Sequence, residues 1–98
     1  MKVHGFDWDE GNTEKCQIHG VKAEEIESVF QNHPYVGINS KHSRAEERLN
    51  AVGITNDRKH VFVVFTFRKV KNETLIRPIS ARFMHKKEIE HYEKQIKT

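Results

Sequence analysis

The feature that most constrains the fold is an unbroken run of β-branched and aromatic residues from Val61 to Phe67. Such residues favour extended backbone, and a strand that is apolar at every position is usually covered on both of its faces. The run therefore predicts the central strand of a sheet. It is far shorter than the roughly 20 residues that cross a bilayer, and no apolar signal-peptide region follows the N-terminus. We therefore expect a cytoplasmic protein with no membrane association.

Six further segments carry the periodicity of a helix or a strand. In chain order they are a strand at Val3 to Trp8, a helix capped by Asp7 or Asp9 that ends near Ile18, a helix at Lys22 to Gln31, strands at Arg44 to Ile54 and Leu75 to Phe83, and a helix at His85 to Lys97. The segment Pro34 to Ser43 is polar and loop-like. Its sequence leaves open whether Tyr35 to Ile38 forms a short strand.

The length of 98 residues predicts a single domain, 1–98. The segments predict a small α+β fold of order β-α-α-β-β-β-α, with two N-terminal helices and a C-terminal helix. Short turns between the last three strands favour an antiparallel sheet of about four strands with the helices packed on one face.

Charge is distributed unevenly along the chain. Residues 1–49 carry 6 basic and 9 acidic side chains, whereas residues 50–98 carry 11 basic and 5 acidic ones. The basic side chains of the second half interrupt apolar runs, so folding should concentrate them on one surface. A polyanion is a plausible ligand of that surface, and a solvated basic face with no ligand is the alternative.

Several site types are excluded by the absence of their motifs. Cys16 is the single cysteine, so no internal disulfide or Cys-rich zinc site exists. The seven histidines show no HxxxH or HExxH spacing, and the sequence contains no Gly-rich phosphate loop and no GxSxG motif. We expect no metal and no cofactor.

The most informative segment is Arg77-Pro78-Ile79-Ser80-Ala81-Arg82, in which two arginines punctuate an apolar strand. Fixed guanidinium groups can stabilise the phosphorane that forms when RNA is cut at its own 2′-hydroxyl. Five residues separate Arg77 from Arg82, so they share a face only if Arg82 lies beyond the strand or a bulge intervenes. Pro78 removes a backbone donor, which indicates an edge or an interrupted ladder. The alternative for Arg77 is a salt bridge with Glu46, Glu47 or Glu88.

Other residues complete the candidate site. Arg68 follows the central strand, and Arg48 joins it if the register is right. Glu88 and Tyr92 lie one helical turn apart, so the carboxylate can orient an arginine while the phenol contacts RNA or belongs to the core. Proton transfer needs a group with a pKa near neutrality, and the candidates are His42, His60 or His85 beside Glu47. Trp8 either stacks a base or anchors the core.

These residues lie within a succession of short motifs that resembles the BrnT family of toxins from bacterial type II toxin–antitoxin systems, whose fold is similar to RelE-like ribonucleases. The matching motifs cover nearly the whole chain in order. They are Phe6-Asp7-Trp8-Asp9, Gly11-Asn12, Lys15-Cys16, His19-Gly20-Val21, Glu24-Glu25-Ile26-Glu27, Val29-Phe30, His42-Ser43, Glu46-Glu47-Arg48, Ala51-Val52-Gly53, Phe65-Thr66, Arg68, Leu75 to Arg82, Met84 to Glu88, and Tyr92-Glu93.

The resemblance implies a metal-independent endoribonuclease that slows translation and is neutralised by a BrnA-type antitoxin, with DNA bound only through the toxin–antitoxin complex. The positions carried over by the family likeness are Arg48, Arg68, Arg77, Ser80, Arg82, Glu47 and Tyr92. We expect Arg68, Arg77, Arg82, Glu47, His42 and His85 to be catalytic. The expected RNA contacts are Arg48, Ser80, Lys86, Lys87, Tyr92 and Trp8.

Two other functions remain compatible with the sequence. A nucleic-acid-binding or protein-binding module on the same scaffold would bind without cutting, because a basic sheet surface suffices for binding and fold does not decide function. A structural partner of an antitoxin would show no salt-dependent RNA binding at all.

Overall fold

The computed structural model describes residues 3–39 and 47–96, which form three helices and five strands. The elements are β1 (Gly5–Phe6), α1 (Glu10–Gln17), α2 (Ala23–Gln31), β2 (Tyr35–Ile38), β3 (Leu49–Ile54), β4 (His60–Val70), β5 (Glu73–Phe83) and α3 (Lys86–Ile96). The predicted α+β class is confirmed. The described chain has one strand more than predicted, because the segment left open at Tyr35 to Ile38 is extended.

The five strands form one mixed sheet in the order β1-β5-β4-β3-β2. The run that predicted a central strand lies in β4, which is third of the five. Strands β2 to β5 pair in antiparallel fashion, whereas β1 pairs parallel to β5, with Gly5 opposite Leu75 and Phe6 opposite Ile76. The expectation of a purely antiparallel sheet of about four strands was therefore wrong. The strand predicted at Val3 to Trp8 is present as β1, but its pairing with a strand 70 positions away leaves no local pattern in the sequence.

One face of the sheet carries α1 and α2 and forms the main core. The core residues are Cys16, Val21, Ile26 and Val29 from the helical half and Ala51, Val61, Val63, Phe65, Ile76 and Ala81 from the strands. Phe65 is 1% exposed, and its ring meets the Phe30 ring edge to face at 4.9 Å. Edge-to-face ring pairs stabilise beyond the area that they bury, so these rings anchor α2 on β4.

The last helix, α3, lies on the opposite face, which we call the α3 face. The Tyr92 ring packs edge to face against the rings of Tyr35 and His60, each at 5.7 Å. Tyr35 pairs with Val52 and Val52 with Phe62, and directly paired residues share a face, so this face is not that of Val61 and Val63. The expectation that all helices pack on one face was wrong. Because β4 is apolar on both faces, each face needs a cover.

A β-bulge in β5 determines where its arginines lie. Val64 pairs with Ser80 but Phe65 pairs with Pro78, so Ile79 is an extra residue in the ladder. One extra residue reverses the alternation of faces along the rest of the strand. Arg77 pairs with Thr66 and Arg82 with Phe62, four residues apart on β4, so both arginines lie on the α3 face. The ladder between β4 and β5 is thus interrupted next to Pro78, as the proline indicated.

Candidate functional site

A polar hollow of about 460 Å³ opens on the α3 face, and we call it the cationic hollow. Its described lining residues are Lys15, Ile38, Asn39, Arg48, Asn50, Phe62, Val64, Ile79, Ser80 and Arg82. They include three cations and no carboxylate. A concave surface lined by charge of one sign focuses its field on an anion, so the hollow has the electrostatics of a phosphate site.

Arg82 is held rigidly at the wall of this hollow. Its Nη1 and Nη2 donate to the two carboxylate oxygens of Glu88, both at 2.8 Å, and Nη1 also lies 3.4 Å from the Phe83 carbonyl oxygen. The guanidinium carbon lies 4.7 Å from the centre of the Phe62 ring. A guanidinium carries five N–H groups, so Nε–H and one Nη2–H stay available to a ligand. Two such donors can bind a phosphate bidentately.

Glu88 is the group that fixes this orientation. Hydrogen bonds from Arg82 and then from the His85 backbone N–H lower the pKa of the Glu88 carboxyl from 4.5 to about 2. The carboxylate is therefore ionised at every pH at which the protein is expected to work. In return, its hydrogen bonds raise the pKa of Arg82 despite partial burial.

The other two predicted arginines of the sheet form a separate group around the start of α1. Arg68 and Arg77 each donate to Asp7 Oδ2 at 3.1 Å, and Arg77 also pairs with Asp9 at 3.0 Å. The Asn12 backbone N–H and then Arg77 lower the pKa of Asp9. The ion-pair partners of Arg77 are thus these two aspartates, not the glutamates that the sequence suggested. Arg77 lies about 13 Å along the sheet from Arg82, at 3.3 Å per residue.

The remaining candidates lie around these two groups. Lys86 and Lys87 are exposed in the first turn of α3, next to the exposed His85. Glu47 is exposed, and its backbone carbonyl accepts a 2.7 Å hydrogen bond from Thr66 Oγ1. His42 lies outside the described residues.

The two aromatic candidates are packed against the protein. Tyr92 is 7% exposed between the rings of Tyr35 and His60, and burial raises its pKa. Trp8 packs on the core and donates from Nε1 to Glu27 at 2.9 Å. Of all the predicted site residues, Arg48, Ser80 and Arg82 lie together at the hollow. Arg68 and Arg77 lie together at Asp7.

Comparison with known families identifies the family of this chain. A family model described as a ribonuclease toxin, BrnT, of type II toxin–antitoxin systems matches residues 8–88. The chain belongs to the BrnT family. Comparison with curated proteins gives no match. The resemblance found in the sequence is confirmed, and BrnT membership gives the chain its class, a ribonuclease toxin with an antitoxin partner. The matched residues contain the cationic hollow and Glu88 in full.

Sequence reasoning missed two residues that this BrnT chain places in or beneath the site. Asn12 is 5% exposed, and its Nδ2 donates to the carbonyls of Asp7 and Pro78, both at 2.9 Å. It thereby ties α1 to β5 and brings Lys15, the second missed residue, to the rim of the hollow. The spacing of Asp9 and Asn12 in a capping box was the available signal for Asn12. Lys15 belongs to the motif Lys15-Cys16 of the family resemblance, but nothing in the sequence placed it at the site.

Two further observations bear on the site of this BrnT chain. Within residues 3–39 and 47–96, no three His, Cys, Asp or Glu side chains form a group that could hold a metal ion. No helix in these two ranges is long and apolar enough to span a membrane.

Proposed function

We propose that this BrnT-family chain is an endoribonuclease that cuts RNA by attack of a 2′-hydroxyl on the adjacent phosphodiester, without a metal ion. The scissile phosphate binds in the cationic hollow. The observation that carries this proposal is the convergence of Lys15, Arg48 and Arg82 on a hollow whose described lining holds no carboxylate. Protein cations at these positions supply the charge that a divalent ion supplies elsewhere.

Each step of the reaction has a group suited to it. The 2′-oxygen forms a bond to phosphorus as a base takes its proton, and the 5′-oxygen leaves as an acid protonates it. The products are a 2′,3′-cyclic phosphate and a 5′-hydroxyl. Negative charge peaks on the phosphorane between these events, where the two available N–H groups of Arg82 and the charge of Arg48 stabilise it most. Ser80 adds a hydroxyl donor at the same wall.

The proposed proton-transfer groups are Glu47, His42 and His85. His42 follows Asn39 by three residues and Glu47 precedes Arg48, and both Asn39 and Arg48 line the hollow. Removing a general acid or base typically slows the reaction by roughly 10²–10⁴-fold. We expect His42→Ala, His85→Ala and Glu47→Gln to separate these roles, because loss of the base removes the acidic limb of the pH–rate profile and loss of the acid removes the alkaline limb.

RNA on either side of the cut follows the basic surface. Arg68 and Arg77 contact phosphates beyond the hollow, and the Asp7 carboxylate that they share holds them in place as Glu88 holds Arg82. Lys86 and Lys87 add attraction from the first turn of α3. Tyr92 and Trp8 act from behind the site, Tyr92 by seating α3 on the sheet.

The proposed regulator is a BrnA-type antitoxin, since the family belongs to type II systems. It inhibits by covering the cationic hollow with an acidic or amphipathic segment, and it contributes the DNA-binding element, so operator DNA is bound by the complex. We place this activity in the cytoplasm, where messenger RNA is available.

The test is cleavage of RNA by the purified chain in EDTA. We expect cyclic-phosphate products, at least 100-fold slower cleavage by Arg82→Ala and Arg48→Ala, and an unchanged rate for Lys94→Ala, which removes one exposed charge from the end of α3. Arg82→Lys keeps the charge but loses the fork and should remain slow. Cleavage that EDTA abolishes would contradict the metal-free mechanism. Salt-dependent binding with no cleavage would instead support the non-catalytic binding module.

A further inference from the structure

The cationic hollow has an apolar part of its lining that a phosphate site does not need. This part consists of Ile38, Phe62, Val64 and Ile79. The planar guanidinium of Arg82 lies over the Phe62 ring and is clamped by Glu88, so it presents a rigid flat surface. Single-stranded RNA is commonly bound by stacking its bases on aromatic rings or on arginine planes. The hollow therefore offers a stacking surface for a nucleobase beside the cations that bind the phosphate.

Asn50 supplies a polar group in the same hollow that is not used by the fold. It lies on β3 opposite Val64, and its side chain lines the hollow. Its Oδ1 is buried and accepts no hydrogen bond from any described residue. Buried amide oxygens are nearly always paired, so an unpaired one in a hollow calls for an explanation. The terminal amide torsion is soft, so the group can turn towards a bound molecule at little cost.

We infer that the hollow binds one nucleobase of the RNA, stacked on the Arg82 guanidinium, with its edge hydrogen-bonded to the Asn50 amide. This inference rests on the proposed ribonuclease function and makes Asn50 a specificity-determining residue. An amide offers one acceptor and two donors, so it pairs with the adenine edge formed by the N6 amino donor and the N7 acceptor, whereas the matching guanine edge, O6 and N7, offers acceptors only. Base identity next to the cut is then read by Asn50, whereas the rate of cutting depends on the cations.

Asn50→Asp gives a directional test, because a carboxylate offers acceptors only. Guanine has two neighbouring donors on its Watson–Crick edge, N1–H and the N2 amino group, so the variant should shift its preference towards guanine. A good bidentate contact discriminates by roughly 5- to 150-fold. The measured quantity is the ratio of affinities for guanine over adenine, which the overall repulsion between Asp and RNA leaves unaffected.

The probes are short 2′-O-methyl oligoribonucleotides that differ only in one base, because they lack the attacking hydroxyl and report binding without cleavage. Wild type, Asn50→Asp, Asn50→Ala and the matched control Asn72→Asp, in the exposed turn before β5, are compared by fluorescence anisotropy. We expect the guanine ratio to rise at least 5-fold in Asn50→Asp, to approach one in Asn50→Ala, and to stay at the wild-type value in Asn72→Asp. Circular dichroism checks that each variant is folded.

The outcomes separate this inference from the proposed function. If folded wild type cuts RNA but the base ratios are the same in all four proteins, Asn50 does not read a base and the inference is wrong. If wild type neither binds the oligonucleotides nor cuts RNA, the ribonuclease proposal itself fails. If Asn50→Asp loses its fold, the inference stands or falls on the Asn50→Ala ratios alone.

Discussion

Replacing Glu88 by Gln tests how strongly the α3 carboxylate holds the Arg82 guanidinium. The fall of the Glu88 pKa from 4.5 to about 2 corresponds to about 3 kcal/mol at 1.36 kcal/mol per unit. Both side chains are about one-third exposed, at 36% for Glu88 and 35% for Arg82, so solvent screens the pair. We therefore expect Glu88→Gln to lower the free energy of unfolding by about 1–2 kcal/mol at pH 7. Gln retains an oxygen for the His85 backbone N–H, so the start of α3 is preserved.

The assay is urea unfolding of wild type and Glu88→Gln between pH 7 and pH 2, with the exposed Glu90→Gln as control. Because folding depresses the pKa of Glu88, its stabilisation is complete above the unfolded value of 4.5 and is lost as pH falls towards about 2. The difference between the two proteins should thus shrink from about 1–2 kcal/mol to near zero across this window. RNA cleavage at pH 7 should also slow, since Arg82 loses its anchor.

A stability difference that is the same at pH 7 and pH 2 would refute this reasoning, because the effect would then not come from the ionised pair. An equal loss in Glu90→Gln would do the same, since that carboxylate has no described contact with Arg82. If Glu88→Gln is destabilised but cuts RNA at the wild-type rate, Glu88 stabilises the fold, and Arg82 needs no anchor for cleavage.

Three further predictions concern buried residues that support the site. Phe65→Ala should lower the free energy of unfolding by about 3–5 kcal/mol in urea, and Phe67→Ala, whose ring is 38% exposed, should cost clearly less. Asn12→Ala should lower the free energy of unfolding by about 2–3 kcal/mol, because it leaves the buried Pro78 carbonyl and the Asp7 carbonyl without their donors. Thermal unfolding would detect this loss as a lower Tm. Burial raises the pKa of the Cys16 thiol to about 11, so at pH 8 a thiol reagent should react with it only as fast as the protein opens, and urea should accelerate the reaction.

Local patterns were enough to predict most of the elements. The β-branched run predicted β4, and the helical spacing of Ile26, Val29 and Phe30 predicted α2. A cap at Asp7 or Asp9 predicted the start of α1, and Asp9 is the residue that caps it. The pairing of β1 with β5 could not be predicted, because the pattern at Val3 to Trp8 indicates a strand but not which strand it pairs with. The face chosen by α3 could not be predicted either, since its apolar stripe shows that it packs but not on which side of the sheet.

Several residues of the site could be predicted from the sequence, but which of them lie together could not. Arg77 and Arg82 were found because charges in an apolar strand are conspicuous, and their spacing left two alternatives, a bulge or a position of Arg82 beyond the strand, of which the bulge is present. The partners of Arg77 lie 68 and 70 residues away at Asp9 and Asp7, beyond any local pattern. Lys15 and Asn50 looked ordinary in the sequence, because only the assembled sheet places them at a common hollow.

The extra residue at position 79 determines which side of the sheet the later side chains of β5 occupy. If Ile79 were instead paired regularly with Val64, every later side chain would change sides, turning the Arg82 guanidinium into the hydrocarbon interior and Ala81 outwards. Deleting Ile79 would leave Ser80 opposite Val64 and Arg82 opposite Phe62, so a shorter strand keeps both arginines on the α3 face. A change that abolishes the bulge without shortening the chain should therefore disturb the site more than a deletion of residue 79.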